Sequence, residues 1–303
     1  MKRAVSISIG SSKRDKSVEV ELLGELVRIE RIGTDGDMQR AAQLFSELDG
    51  EIDAFGVGGT NLALQVAGRS YPLYSVLSLV RDVRITPIAD GGGLKNTLEA
   101  KLAEFLDQNL DLSDRPRQAL ITSGTDRWGM TSSFLRAEYD CVIGDFMFGL
   151  DLPLPVHSER ALKLMARLLL PVVGRLPFEW LYPTGEEQEL RKPKWESYFN
   201  WASVIAGDCH YITYRMPTTL DRKIVVTNTT TSNDVDLFRQ AGVQALVTST
   251  PVYDGRSFGT NMLEAALIAV SGKKRPLRDD ELQTMIDQIG LKPQLQILNE
   301  PGE

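Results

Sequence analysis

The chain has 303 residues, 42% hydrophobic and 25% charged, a globular composition long enough for two domains. Its formal net charge of −7 excludes a reader of nucleic-acid backbones, which needs a basic field. Two cysteines, Cys141 and Cys209, exclude a disulfide framework, and no metal-ligand spacing surrounds them.

The first residues, MKRAVSISIGSSKRDKS, carry too short an apolar run for a secretory signal, so a cytoplasmic protein is expected. Ala4–Ile9 reads as a strand that stops at Gly10. Val27–Ile32 alternates with period two, as a half-exposed strand does. Between Asp37 and Leu48, residues Ala41, Leu44, Phe45 and Leu48 share one helical face. Ile52–Phe55 leads into Gly-Val-Gly-Gly-Thr and Asn61. Val83–Ile88 leads into Ala-Asp-Gly-Gly-Gly, and a helix is expected over Leu94–Leu106. These elements predict an N-terminal α/β substrate domain over residues 1–115. The charged, proline-bearing stretch Ser-Asp-Arg-Pro-Arg is its linker.

Residues 116–275 alternate strands and helices. Strands are expected at 119–123, 141–145, 202–206, 223–227 and 245–249, and helices at 129–137, 158–174, 232–241 and 259–271. Such alternation predicts a Rossmann-like, doubly wound parallel sheet. The apolar helix Leu162–Val173 is too short to span a membrane. It and the aromatic segment Phe178–Tyr182 serve either as ordinary core or as the contact of a homodimer. Residues 276–303 hold one helix, Asp279–Ile289, stopped by Gly290 and followed by a loose tail.

The segment Ala119–Asp145 carries the first chemical signal. It reads as strand, glycine-containing turn, helix, then a strand ending in an acid. In Ile-Thr-Ser-Gly-Thr-Asp-Arg-Trp-Gly, the residues Ser123, Gly124, Thr125, Asp126, Arg127 and Gly129 form a turn whose amides and hydroxyls suit a pyrophosphate. Asp145, 21 positions after Gly124, is placed to accept ribose hydroxyls, which favours NAD, while Arg127 leaves NADP as the alternative. The spacing is not G-x-G-x-x-G. The competing reading is an ordinary strand-to-helix turn with Asp145 holding a loop.

Further strand ends carry Asp208, Cys209, His210 and Tyr211, then Thr229 and Thr230 before a helix capped by Ser232 or Asn233, then Ser249, Thr250 and Gly259. Ligands of open α/β sheets lie outside such carboxyl ends. With Cys209 and His210 adjacent on a strand, they point to opposite faces. Cys209 then reads as a buried small residue and His210 as an acid/base candidate.

Residues 88–273 resemble the shikimate/quinate 5-dehydrogenase family. The resemblance rests on Ala-Asp-Gly-Gly-Gly-Leu-Lys-Asn-Thr-Leu (Asp90, Gly91, Gly93, Leu98) and on Ala241, Gly242, Gly255, Gly259, Met262, Leu263 and Gly272. The family's N-V-T-x-P-x-K motif is absent upstream of Asp90, and the Asn and Thr of its N-T-D-G motif are replaced by Ile88 and Ala89. The resemblance implies hydride transfer between a nicotinamide cofactor and an alcohol or ketone of a polyol or hydroxy acid. On that expectation, the substrate meets Asn61, Asn96 and Tyr211. Asp90 and Lys95 handle the proton, with His210 as alternate. Lys95 either takes it as a base or, kept charged by Asp90, donates to the carbonyl oxygen. Two other functions stay open: a non-catalytic dinucleotide sensor or assembly subunit, and an α/β enzyme acting on a phosphorylated small molecule.

Overall fold

The computed structural model describes residues 1–178, 191–250, 252–253 and 256–300. The chain forms two compact units, each discontinuous in sequence. One comprises Met1–Thr97, Leu168–Gln188 and Gly259–Leu291; the other comprises Leu98–Arg167, Glu189–Phe258 and Lys292–Glu303. This differs from the continuous division at residue 115 and from a second domain reaching residue 275.

In the first unit the sheet has the order β2–β3–β1–β4–β7. Its strands are β1 (Lys2–Ser8), β2 (Lys16–Leu22), β3 (Glu25–Gly33), β4 (Ala54–Gly58) and β7 (Ile88–Ala89). β3, β4 and β7 run parallel within the β3–β1–β4–β7 block, and β2 is antiparallel to β3. A separate hairpin joins β5 (Ala63–Val66) to β6 (Arg69–Pro72), and the short helix α2 (Tyr74–Leu77) follows it. The strand expected over 83–88 shrinks to the two residues of β7.

The two faces of this sheet differ in residue size. Val5, Ile7, Phe55 and Val57 pack against Ala41, Leu44 and Phe45 of α1 (Met38–Glu47), whose start is capped by Asp37 accepting from the Arg40 N–H. Such a cap contributes about 1 kcal/mol. The alternate positions are small and paired in register: Ala4 with Ala54, Ser6 with Gly56 and Ser8 with Gly58. That face receives α10 (Thr260–Ser271), a helix buried on nearly every side. A Cβ on Gly56 would lie 2.9 Å from the Asn261 carbonyl, so glycine permits the approach. A helix this apolar must be covered all round, and the small-residue face supplies the room. This is why residues 260–271 belong to the first unit. α11 (Asp279–Ile289) follows, and Gly290 ends it at φ 72° in the left-handed region.

In the second unit the order β9–β8–β10–β11–β12 joins five parallel strands: β8 (Gln118–Ile121), β9 (Asp140–Ile143), β10 (Val204–Gly207), β11 (Ile224–Thr227) and β12 (Ala245–Thr248). β13 (Val252–Tyr253) and β14 (Arg256–Ser257) pair antiparallel in a small hairpin, and β15 (Gln294–Ile297) pairs antiparallel with β12, so part of the expected loose tail is an edge strand. Both faces are covered, as all-parallel sheets require. Ala119, Ile121, Ile143, Ala206, Val226 and Val247 pack with α4 (Leu102–Asn109), α5 (Trp128–Arg136) and the Leu162 end of α6 (Glu159–Val173). Leu120, Val142, Ile205, Val225 and Leu246 pack with α7 (Glu196–Trp201), α8 (Cys209–Arg215) and α9 (Ser232–Gln240). The fold is therefore α/β, with a Rossmann-like doubly wound parallel sheet in the second unit.

Helix α6 buries Leu162, Ala166 and Leu170 but leaves Leu164, Leu168 and Val172 exposed, so it is neither wholly core nor wholly surface. Phe178 packs in the first unit's core, while the rest of the aromatic segment, 179–182, lies outside the described residues. No helix among the described residues is long and apolar enough to cross a membrane.

Candidate functional site

The carboxyl ends of both sheets gather polar side chains. In the first unit, β4 runs into Asn61 and β7 into Asp90, and α3 (Gly92–Thr97) carries Lys95. Lys95 is buried, and its Nζ donates to Asn61 Oδ1 at 2.7 Å. Asp90 Oδ2 accepts the Leu62 N–H at 2.8 Å, and its Oδ1 accepts the Gly92 N–H at 2.9 Å. Lys95 and Asp90 thus both converge on the Asn61–Leu62 segment. The helix expected over Leu94–Leu106 is instead broken. α3 ends at Thr97, a short 3-10 turn follows at Glu99–Lys101, and α4 begins at Leu102. Asn96 lies on α3, half-buried.

The glycines of this turn serve packing first. Gly91 has φ +90°, and a Cβ there would lie 2.4 Å from Thr260 Oγ1. A Cβ on Gly93 would lie 2.3 Å from Leu282 Cδ1 and 3.0 Å from Glu264 Oε1. Glu264 itself is buried on α10, and its Oε2 accepts the Leu94 N–H at 3.2 Å. Burial, then the neighbouring Asp90 carboxylate, pushes the Glu264 carboxyl up to about 8, against the pull of the Leu94 and Gly93 amides. Glu264 belongs to no recognisable motif. A lone acid inside an otherwise apolar helix run, Met-Leu-Glu-Ala-Ala-Leu, is the signal that marks it.

In the second unit, the strand order reverses between β8 and β10, the switch point at which doubly wound sheets bind ligands. The turn after β8 is held by its own neighbours. Asp145 Oδ2 accepts the Gly124 N–H at 2.8 Å, and Oδ1 accepts the Thr125 N–H at 2.9 Å and the Thr125 hydroxyl at 2.5 Å. Burial pushes the Asp145 carboxyl up, partly offset by these three donors. Gly124 is needed because a Cβ would sit 2.5 Å from Ile143 and 2.8 Å from Asp145. The expectation for this turn is corrected accordingly. The amides of Gly124 and Thr125 are engaged by Asp145 rather than presented to a phosphate, and Asp145 acts first as the clasp of its own turn.

Arg127 also departs from expectation. Its guanidinium is buried, 2.6 Å from Glu99 Oε1 and 2.7 Å from Asp208 Oδ2, with Asp126 at 3.8 Å. Burial alone would lower the Arg127 pKa, but Glu99, Asp208 and Asp126 raise it overall. The same pairing lowers the Asp208 pKa against its own burial. Asp208 caps α8 through the His210 N–H and accepts from Asn228 Nδ2 at 3.0 Å. Ser123 Oγ accepts the Asp208 N–H, and Ser249 Oγ donates to Glu99 and to the Asn228 carbonyl. Gly129 is buried in the first turn of α5. The strand ends of β8, β10, β11 and β12 therefore form one connected polar layer. Glu99 and Asn228 were not singled out by sequence, because Glu99 sits in a helical stretch of mixed charge and Asn228 in a capping run.

His210 and Tyr211 lie in the first turn of α8, not on a strand, so the opposite-face argument for Cys209 and His210 no longer applies. Cys209 is buried as expected. His210 stacks on Tyr214 with ring centroids 6.0 Å apart, and Tyr211 lies beside it at 6.4 Å. Thr230 is buried and Thr229 half-buried before α9, whose cap is Thr231 in a capping box with Asp234, rather than Ser232 or Asn233. Gly259 belongs to the first unit, where it caps α10. Gly255 lies outside the described residues. No cluster of three or more His, Cys, Asp or Glu that could hold a metal occurs among the described residues.

For a dinucleotide the fit is divided. The switch point and the hydroxyl-rich strand ends suit one, and Asp145 stays partly exposed beside the turn. The phosphate grip does not lie on Gly124, Thr125 or Arg127, whose donors are engaged within the protein.

The family described as "Domain of unknown function (DUF8754)" matches residues 93–298, and that described as "Domain of unknown function (DUF8753)" matches residues 3–90. No curated protein matches the chain. Among solved structures, it is similar to a malic enzyme of Entamoeba histolytica at 11% identity and TM-score 0.41, covering 99% of this chain and 66% of that one. It is also similar to an NAD-dependent malic enzyme of Thermotoga maritima at 12% identity and TM-score 0.37, covering 93% and 75%. A galactofuranose binding protein aligns at 11% identity and TM-score 0.37, covering 97% and 94%. The chain thus spans about two thirds of the Entamoeba enzyme's length, and at these scores the likenesses carry no inference about chemistry.

Proposed function

Because the chain belongs to the family described as "Domain of unknown function (DUF8754)", a description that names no chemistry, we propose a function from its own residues. It is a dehydrogenase-like α/β enzyme that transfers a hydride between a nicotinamide cofactor and a hydroxyl-bearing carbon of a polyol or hydroxy acid, of the quinate or shikimate kind. The observation that carries this reading is the buried Lys95, whose Nζ is held by Asn61 Oδ1 at 2.7 Å at the carboxyl end of a parallel sheet. A buried lysine whose Nζ is fixed by a side-chain oxygen at the carboxyl end of a parallel sheet is a functional candidate, because ligands of such sheets bind there.

In the oxidising direction, the neutral Lys95 amine would take the proton of the substrate hydroxyl as the C–H hydride leaves; in reverse, the Lys95 ammonium would donate to the carbonyl oxygen. Asn61 orients the Lys95 Nζ. Asp90, through the Leu62 and Gly92 amides, fixes the segments that carry Asn61 and α3. A bound nicotinamide supplies or accepts the hydride. The residues that would hold it are Asp145 at the ribose and Thr229, Thr230 and Ser249 along the strand ends. NAD is preferred over NADP because Asp145 and Asp126 would repel a 2′-phosphate.

One observation favours a second reading. Glu99, Asp126 and Asp208 surround the Arg127 guanidinium in the second unit's polar layer, and Asp145 adds a further carboxylate at the turn after β8. Such an acid surplus suits a neutral or cationic hydroxylated ligand better than a pyrophosphate or a phosphorylated substrate. Calorimetric titration with NAD+, NADH, NADP+ and NADPH separates the two, followed by turnover assays on a polyol and hydroxy-acid panel. Dinucleotide binding with turnover supports the enzyme. Dinucleotide binding without turnover supports a sensor, and no dinucleotide binding supports the second reading.

A further inference from the structure

The Glu264 carboxyl has a geometry that a packing role alone does not require. It is 5% exposed, and it reaches from α10 to the first turn of α3. There its Oε2 accepts the N–H of Leu94, the residue immediately before Lys95. Gly93 lacks a side chain where one would lie 3.0 Å from Glu264 Oε1, so the turn is cut back around the carboxyl. The short helix α3 is otherwise tied by the Lys95 N–H to the Gly91 carbonyl and by Gly92 to Asp90.

We propose that Glu264 is a positioning residue for Lys95: by holding the first turn of α3, it keeps the Lys95 Nζ on Asn61. The functional meaning of this role rests on Lys95 being the group that handles the substrate proton. The role itself does not depend on substrate. Leu94 places its own side chain in the core, fully buried, so its amide and its side chain fix the turn from two directions. A six-residue helix has little stability of its own, and an outside acceptor on its first amides decides whether it stays wound.

The carboxyl is faced by Asp90 and Asp279, both of which disfavour its ionised form, while the Leu94 and Gly93 amides favour it. Its charge state therefore changes near neutral pH, and the clamp changes with it. Ionised Glu264 is the stronger acceptor but is repelled by Asp90; protonated Glu264 keeps the amide contact without the repulsion.

The test uses the full chain without any substrate. Lysine labelling with an amine-reactive ester, read residue by residue by mass spectrometry, is compared for wild type, Glu264→Ala and Glu264→Gln. Glu264→Ala is expected to raise Lys95 labelling by about tenfold through local opening of α3, with other lysines unchanged. Glu264→Gln keeps an acceptor for the Leu94 amide and is expected to stay within about twofold of wild type. Exchange protection of the Leu94 amide in wild type is expected to change across pH 8 and to stay flat in Glu264→Gln, which remains readable even where the alanine variant fails to fold. Unchanged Lys95 labelling in a folded Glu264→Ala variant, or a pH-independent Leu94 amide in wild type, overturns the proposal. A positive result here with no effect of Lys95 substitution on turnover leaves the positioning role standing and removes the dehydrogenase reading.

Discussion

Lys95 donates to the side-chain oxygen of Asn61 at 2.7 Å, and both residues are buried, at 7% and 6% exposure. Neither belongs to a recognisable lysine motif in the sequence. Lys95 comes from α3, and Asn61 comes from the loop that follows β4.

Replacing Lys95 by alanine is expected to lower kcat by about 10²–10⁴-fold, the usual range for loss of a proton-transfer group, with dinucleotide affinity unchanged. Lys95→Arg is expected to bind substrate but recover little turnover, because a guanidinium cannot release its proton near neutral pH. Steady-state kinetics on the polyol and hydroxy-acid panel measure both.

Arg127 sits between Glu99 and Asp208 with its guanidinium almost fully buried. Arg127→Met is expected to destabilise the protein by about 3–5 kcal/mol, because it strips Glu99 of its buried counter-ion. Urea unfolding followed by circular dichroism measures it. If Arg127 instead served a phosphate, the same substitution would cost affinity for that ligand and little stability.

Gly91 is constrained from two sides, by φ +90° and by Thr260 Oγ1 where a Cβ would lie. Gly91→Ala is expected to cost roughly 1–3 kcal/mol. Gly68 has φ +75° but open space around it, so Gly68→Ala bears the backbone strain alone and is expected to cost less. The difference between the two thermal midpoints isolates the packing term.

The strand periods placed the five parallel strands of the second unit, because those strands are buried on both faces, whereas the short helices α7 and α8 carry too few turns to show a period. The discontinuous units were not legible. Residues 260–271 look like the natural close of a cofactor domain, and only the alternation of small residues in Ala4-Val-Ser-Ile-Ser and Ala54-Phe-Gly-Val-Gly marks the face that takes them. The turn at Gly124 was legible as a turn but not in its use. Sequence distance brought Asp145 to the right place but did not show that its oxygens close on the Gly124 and Thr125 amides. The pairing of Asn61 with Lys95 joins two residues that were chosen for separate roles.

The Glu264 carboxyl titrates near pH 8 when folded and near its usual 4.5 when unfolded. Between those values the folded chain holds a proton that the unfolded chain has lost. Stability therefore falls as pH rises from about 4.5 to about 8, then levels. Asp145 and Asp279 are shifted in the same direction and Asp208 in the opposite one, so the comparison with Glu264→Gln is the informative one. The variant is expected to gain stability relative to wild type as pH rises, by a few kcal/mol at pH 8. Urea midpoints taken every half pH unit measure the gap; a gap that does not change with pH contradicts the assignment.

The most direct test of the account is a calorimetric titration of the full chain with NAD+ and NADH, beside an Asp145→Ala variant shown to be folded. The wild type is expected to bind NAD(H) and to prefer it to NADP(H), and Asp145→Ala is expected to weaken that binding severalfold and narrow the preference. Absence of any dinucleotide binding by the wild type would contradict the proposed function at its root, whatever Lys95 and Asn61 do.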